Sequence, residues 1–241
     1  MSVSLAIRQR IDQFKPGKVF GYSDFPLYKK EPAATVKAVE RVFKDGQIRR
    51  LSKGCFYKPK KGIFGELKPS DSEILRSILY RGGQLRGYVT GVALFNQLGL
   101  TTQLPRTITI AVEGGSQEKD FGTMRAKLIR SRAPIKAADV KLLQYLDVLK
   151  DISKIPDADA NESISIMAKK FSELNDREVK RLKNLATNYY TAKVIALTGF
   201  LFDFTKKDTS QSLKERINPL TKFKIGLNAK QWPESRAWNI Q

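Results

Sequence analysis

The chain has 241 residues and a formal net charge of +20, so it is long enough to bury one to three compact cores and it favours a polyanionic partner. It has no histidine and a single cysteine, Cys55, which excludes Ser-His triads, histidine-containing zinc sites and intramolecular disulfides. No apolar run is long enough to cross a bilayer and no secretory signal is found, which predicts a cytoplasmic protein.

The first elements are short. Apolar spacing predicts a helix over residues 4–14, which Pro16 and Gly17 end. An extended piece at 19–20 and a helix of one to two turns over 22–27 follow.

Residues 31–45 give the strongest helical pattern, with Val36, Val39, Val42 and Phe43 as the expected buried stripe. Pro32 suits the first helical position and Gly46 suits the C-terminal end. Two strands over 47–51 and 55–58, joined by a turn at 52–54, are then expected to form a hairpin that places Cys55 half-buried. A short element, a helix and a basic hairpin in this order are typical of a winged helix-turn-helix.

The middle of the chain, 62–136, is expected to be a small α+β unit reached through a linker over 59–69. A helix over 71–80 and a short helix over 91–97 are predicted. Strands are predicted at 88–89, 107–112 and 125–130.

Residues 137–241 are expected to be mainly helical, with helices over 137–152, 161–174 and 176 to about 204, the last with a kink at Gly199. Trp232, Trp238 and Ile240 indicate a tail that packs back onto the protein. The expected fold class is therefore α+β: a winged helix-turn-helix domain over 1–61, an α+β unit over 62–136 and a helical region over 137–241.

Charge is concentrated at the start of the chain. Residues 1–61 carry 15 Lys/Arg against 5 Asp/Glu, a net of +10, which is half of the total excess in a quarter of the length. Such a segment is typical of nucleic-acid binding. The candidate DNA contacts, for bases or phosphates, are Tyr22, Ser23, Lys30, Thr35, Lys37, Arg41, Arg49, Arg50, Lys53, Lys58, Lys60 and Lys61.

Within this set, Thr35, Lys37 and Arg41 are the expected base contacts, because the N-terminal half of a recognition helix faces the base edges. The hairpin cations are expected to neutralise phosphates, while Tyr22 and Ser23 could place hydroxyls on a phosphate. Two alternatives stay open: ordinary solvated charges on the helix, and a charged edge hairpin that resists aggregation.

Catalytic signatures are weak. The sequence has neither a P-loop nor a G-x-G-x-x-G motif, and no clustered carboxylates that indicate a metal nuclease. We therefore expect a non-enzymatic protein with no catalytic residue, cofactor or metal.

The segments GKVFGYSDF, TVKAVERVFKDGQIRRLSKGCFYKPKKGIFGELKPS and GYVTGVALFNQLGLTTQLPRTITIAVEGG resemble the AbiEi-type antitoxins of type IV (abortive infection) toxin–antitoxin systems over roughly residues 15–135. The resemblance implies a winged helix that binds repeats in its own promoter as a repressor. It assigns the DNA-reading helix to 31–45, the wing to 47–57 and the antitoxin-like unit to 62–136. It also implies action against a nucleotidyltransferase-type toxin, without need of a stable complex.

The expected partners are therefore double-stranded DNA and such a toxin, with no membrane, and with monomer or dimer undecided. The alternatives are an RNA-binding or nucleic-acid-processing protein, and a plain winged-helix regulator without a toxin.

Overall fold

The computed structural model describes residues 2–207 and 211–241 and shows a mixed α/β protein with helices near its N-terminus and a helical C-terminal region. The α-helices are α1 (Val3–Asp12), α2 (Pro32–Lys44), α3 (Asp71–Leu79), α4 (Val92–Gln97), α5 (Val140–Asp151), α6 (Ala160–Ser172), α7 (Asp176–Tyr189), α8 (Ala192–Thr205) and α9 (Gln211–Lys214). The strands are β1 (Val19–Gly21), β2 (Arg49–Ser52), β3 (Cys55–Tyr57), β4 (Lys60–Gly62), β5 (Gly65–Leu67), β6 (Tyr80–Arg81), β7 (Gln84–Leu85), β8 (Gly87–Thr90), β9 (Thr107–Val112), β10 (Gln117–Asp120) and β11 (Arg125–Arg130).

Contacts between residues divide the chain into two compact units. The first comprises the chain up to Gly87 together with Ser116–Leu128, and the second comprises Tyr88–Gly115 together with Ile129–Gln241. The division into 1–61, 62–136 and 137–241 stays a prediction from the sequence pattern.

The first unit is organised around a small antiparallel sheet with the strand order β1-β3-β2, in which Phe20 pairs with Phe56 and Arg50 pairs with the same residue from the other side. Short 3₁₀ segments at Tyr22–Asp24 and Pro26–Lys29 lead from β1 to α2. The core between the helices and the sheet is aromatic and aliphatic; it comprises Ile7, Ile11, Phe14, Phe20, Phe25, Ala38, Val39, Val42, Ile48 and Phe56.

Helix α2 begins with Pro32 at its first position and ends before Gly46, whose φ of +74° suits glycine and whose N–H donates to the carbonyl of Phe43. The helix is confirmed, but its buried face is rotated from the expected stripe. Val36 and Phe43 are only half-buried. The fully buried positions recur at i, i+3, i+4 and i+7, which is the spacing of one helical face; they are Thr35, Ala38, Val39 and Val42.

The linker predicted over 59–69 is wrong. Strands β4 and β5 form a second antiparallel hairpin there, with Lys60 opposite Leu67 and Lys61 opposite Glu66. The pairing ends at Gly62 and Gly65, which flank a turn made by Ile63 and Phe64. Pro and Gly composition suggested a linker, yet the same glycines permit a tight turn.

The predicted helix over 71–80 and strand over 107–112 are confirmed as α3 and β9. The Ser70 side chain accepts a hydrogen bond from Glu73 N and caps α3. Strand β11 matches the predicted strand at 125–130, and it pairs antiparallel with β10, which the sequence pattern did not predict. In the second unit, β8 and β9 are hydrogen-bonded neighbours.

In the second unit, α5, α6, α7 and α9 pack against α8, whose residues from Val194 to Phe202 are all buried. The single helix predicted from 176 to about 204 is wrong: α7 ends at Tyr189, and Tyr190 and Thr191 adopt extended backbone before α8 begins. The tail packs back as expected, with Trp232, Trp238 and Ile240 buried.

Within the part of the chain that the structure describes, no helix is both long and apolar enough to cross a membrane.

Candidate nucleic-acid interface

Helix α2 presents two cations to solvent, away from its buried face. Lys37 and Arg41 are exposed and lie four residues apart, so they share one side of the helix. Within residues 2–207 and 211–241, neither side chain has a hydrogen-bond or ion-pair partner. Because the opposite face of α2 is buried against the core, Lys37 and Arg41 are held at a defined place on the surface.

Thr35 does not belong to this exposed surface, and its prediction as a base contact is corrected. Its side chain is 0% exposed, and its hydroxyl has no hydrogen-bond partner among the described residues. A threonine was expected to face outward because it is polar. It occupies the first position of the buried i, i+3, i+4, i+7 pattern instead.

Tyr22 and Arg50 are joined through Glu40. The Tyr22 hydroxyl donates to Glu40 Oε1 at 2.7 Å, and Arg50 Nη2 donates to both carboxylate oxygens of Glu40. The guanidinium of Arg50 also lies over the rings of Phe43, at 4.6 Å, and Phe56, at 5.4 Å. Burial, followed by the hydrogen bond to Glu40, raises the pKa of Tyr22 to about 12. Both side chains therefore hold α2 against the sheet.

The side chains of three further candidates form hydrogen bonds within the protein. Arg49 Nη2 donates to Glu66 Oε1 at 2.7 Å, which ties β2 to the second hairpin. Lys58 Nζ donates to the last carbonyls of α1, at Ile11 and Asp12, where a cation is favourable at a helix C-terminus. Ser23 Oγ accepts a hydrogen bond from Arg81 Nε at 2.5 Å.

The other candidates are exposed cations without a side-chain partner in the described residues. They fall on the helix, on the two hairpins and just before α2; they are Lys30, Lys37, Arg41, Lys53, Lys60 and Lys61. Lys53 occupies the turn between β2 and β3, next to Gly54 with φ of +69°. These six cations, called here the free basic set, are the part of the predicted site that can meet an external anion.

The sequence reasoning missed a basic cleft in the first unit, with a volume of about 750 Å³. Its charged lining contains one carboxylate, Glu73, and the cations Arg10, Lys15, Lys18, Lys60, Lys68 and Arg76. Partial burial opposes ionisation of Glu73, but hydrogen bonds from Arg76 and from Val19 N hold its pKa below the usual range. Lys60 is the cation that this cleft shares with the free basic set. The charge excess of residues 1–61 was the available signal, but it did not locate the cleft.

Cys55 is half-buried on β3, as expected. Burial raises the pKa of its thiol, against opposing effects of Lys119 and of a hydrogen bond with Ser52.

Comparisons with known proteins give a family and a fold. A family model described as a family of unknown function (DUF6088) matches residues 6–176. The crystal structure of RV2827C protein from Mycobacterium tuberculosis is similar in fold, with a TM-score of 0.50 and 16% sequence identity, over 99% of this chain and 88% of that chain. No curated protein matches the chain. Since the matched range covers more than half of the 241 residues, the chain belongs to the DUF6088 family of unknown function.

Proposed function

We propose that the first unit binds duplex DNA as a winged helix-turn-helix. The order α1, β1, short 3₁₀ segments, α2, β2, β3 and the sheet order β1-β3-β2 support this reading. In that arrangement α2 is the recognition helix and the β2–β3 hairpin is the wing. A helix of this kind fits the major groove, where base edges carry a distinct pattern of donors and acceptors.

The observation that carries the proposal is the pair Lys37 and Arg41 on the exposed side of α2. Arg49, Arg50 and Lys58 have hydrogen-bond partners within the fold. Lys37 and Arg41 have no such partner within residues 2–207 and 211–241, and they lie on a helix whose other face is buried. Arg41 has the planar fork that bonds to O6 and N7 of guanine.

The other four residues of the free basic set bind phosphates in this proposal. Lys30, Lys53, Lys60 and Lys61 are exposed, flexible point charges, and neutralising phosphates with them releases condensed counterions. This contribution does not depend on base sequence, so it supplies affinity while α2 supplies the choice of site.

In the cell, we propose that the protein represses its own promoter and serves as the antitoxin of a type IV system against a nucleotidyltransferase-type toxin. The resemblance of residues 15–135 to AbiEi-type antitoxins supports this role. The runner-up is an RNA-binding protein, because the same lysines would grip any nucleic-acid backbone.

The test is fluorescence anisotropy of the full chain on a labelled duplex from the region immediately upstream of its own coding sequence. Arg41→Ala should lose affinity for the preferred duplex by about tenfold or more and should bind a scrambled duplex as before. The matched control is Arg177→Ala, which removes an exposed arginine from α7 and should leave binding unchanged.

Competition separates the two nucleic acids. Unlabelled upstream duplex should displace the labelled probe at a far lower concentration than tRNA does. Stronger displacement by tRNA, or equal binding by the Arg41→Ala and Arg177→Ala variants, would contradict recognition of DNA by α2.

The antitoxin role has its own test. Co-expression of the full chain should restore growth to cells that express a nucleotidyltransferase-like protein encoded beside it, and Arg41→Ala should still do so. Failure of the unaltered chain to restore growth would contradict the antitoxin role and would leave DNA binding standing.

A further inference from the structure

The tip of the β4–β5 hairpin exposes two adjacent large apolar side chains. Ile63 is 96% exposed and Phe64 is 102% exposed, and Leu67, which pairs with Lys60 at the other end of the hairpin, is 49% exposed. Single exposed apolar residues are normal on a protein surface, whereas adjacent ones at a projecting point indicate a binding site.

The backbone does not require these residues. The positive φ that the hairpin needs is carried by Gly65, at +117°, and neither Ile63 nor Phe64 has a positive φ. Tight hairpin turns ordinarily contain Asn, Asp, Gly or Ser, which suit the backbone and remain hydrated. An isoleucine and a phenylalanine at this turn therefore expose apolar surface to water with no gain for the fold.

The surroundings of the tip are basic and continuous with the proposed DNA-binding surface. Lys60 and Lys61 lie on β4, and Lys68 follows β5, with Lys60 and Lys68 lining the basic cleft. The ion pair of Arg49 with Glu66, at 2.7 Å, ties this hairpin to β2 of the wing. An apolar tip on a cationic base is complementary to DNA, which has charged phosphates outside and apolar base faces within.

We propose that the β4–β5 hairpin inserts Ile63 and Phe64 between base pairs from the minor groove and thereby bends the duplex. This inference rests on the proposed function of the first unit. The three residue-to-residue steps from Lys60 to Ile63 span about 10 Å at about 3.3 Å per step. That reach exceeds the minor-groove depth of about 7.5 Å, so the tip meets the bases while Lys60 stays level with the phosphates.

Bending follows from the width of the hairpin. The backbones of its two strands lie about 4.8 Å apart. Their side chains add to this width, so the whole hairpin is wider than a minor groove of about 6 Å. Insertion must open the groove, and apolar wedges that do so bend DNA by about 20–90° toward the major groove.

The experiment measures energy transfer between dyes at the two ends of a duplex that the full chain has enriched from a random library. The unaltered chain should bring the ends closer together. The double variant Ile63→Ser, Phe64→Ser should bind about tenfold more weakly and leave the ends at their free separation. Ile63→Val with Phe64→Leu keeps the tip apolar and should retain the bend. Leu220→Ser, at a position that is 88% exposed in the second unit, is the matched control and should change nothing.

The salt dependence of binding distinguishes insertion of the apolar tip from neutralisation of phosphates. The serine variant should leave the slope of log K against log salt concentration unchanged, whereas Lys60→Ala should reduce its magnitude by about one unit. Equal bending by the serine variant and the unaltered chain would overturn the insertion and leave the proposed function intact. A chain that enriches no duplex would contradict both.

Vesicles of phosphatidylserine and phosphatidylcholine provide the remaining comparison. Vesicle binding that requires Ile63 and Phe64, together with DNA bending that does not, would overturn the proposal and assign the tip to a membrane surface.

Discussion

Glu40 on α2 accepts hydrogen bonds from Arg50 on β2 through both carboxylate oxygens, at 2.7 and 2.5 Å. The same guanidinium covers the ring of Phe43 at 4.6 Å. Arg50 was expected to bind phosphate, and it joins the proposed recognition helix to the sheet instead.

Arg50→Ala should lower the free energy of unfolding by about 1–2 kcal/mol, because a partly exposed ion pair contributes up to about 1 kcal/mol and a stacked cation about as much again. Arg50→Lys should not restore it, since lysine lacks the planar fork. Urea denaturation measures the change. The control is Arg125→Ala, whose ion pair with Asp120 is more exposed and should contribute less. Equal losses in the two alanine variants would argue against the linking role of Arg50.

Thr35→Val should raise the free energy of unfolding by about 1 kcal/mol, because it replaces a buried hydroxyl, which has no partner among the described residues, by a methyl group of similar size. Thr35→Ser keeps the hydroxyl and should show no such gain. Thermal denaturation of the two variants provides the measurement. DNA affinity should be unchanged in both, and a weaker affinity in Thr35→Val would restore Thr35 as a DNA contact.

Gly199→Ala should destabilise the second unit by about 2–3 kcal/mol. A Cβ atom at this position would lie 2.0 Å from Cη2 of Trp238, so the buried indole must move. That displacement would strain the hydrogen bond from Trp238 Nε1 to Asp203 Oδ2, now 2.8 Å. Alanine is favoured over glycine in a helix by about 1 kcal/mol, which is smaller than the cost of overpacking. Tryptophan fluorescence during urea denaturation reports the loss; a stability equal to that of the unaltered chain would show that the indole relocates freely.

Asp147→Asn tests a buried carboxyl group that accepts hydrogen bonds from Tyr88, Thr90 and Tyr190. Burial raises the pKa of Asp147, although Lys150 and these three hydroxyls favour its charged form. A raised pKa in the folded state means that the contribution of Asp147 to stability is complete below its unfolded pKa of about 3.9 and is lost as the pH rises through the folded value.

The asparagine variant lacks this titration. The stability advantage of the unaltered chain over Asp147→Asn should therefore shrink as the pH rises above about 4. Urea denaturation across that range measures the difference, and an advantage that grows with pH would reverse the assigned sign.

Periodicity predicted most elements because a single buried face leaves a clear pattern in the sequence. Helix α2 and strand β9 were found this way, but the start of the buried face of α2 was not. Thr35 was read as exposed because its type is polar, whereas its position is set by Ala38, Val39 and Val42 on the same face. The break at Tyr190 was also hidden, since no Gly or Pro marks the end of α7 there.

The ion pairs of the candidate site could not be predicted from the sequence. The partners of Arg49 and Arg50 are Glu66 and Glu40, which the fold brings to them from other elements. Lys58 meets carbonyl oxygens of α1 that lie 46 and 47 residues earlier. A count of charges cannot separate such cations from those of the free basic set, whose side chains have no partner among the described residues.

The first unit takes in Ser116–Leu128, although the preceding stretch, Tyr88–Gly115, belongs to the second unit. During translation, residues up to Gly87 therefore leave the ribosome before Ser116–Leu128, the segment that completes their unit. At about 5–20 residues per second, synthesis of the stretch from Gly87 to Leu128 delays completion by roughly 2–8 s. The contacts that Ser116–Leu128 adds to the first unit therefore form only after the middle of the message has been translated, whereas the hydrophobic core from Ile7 to Phe56 is complete before it.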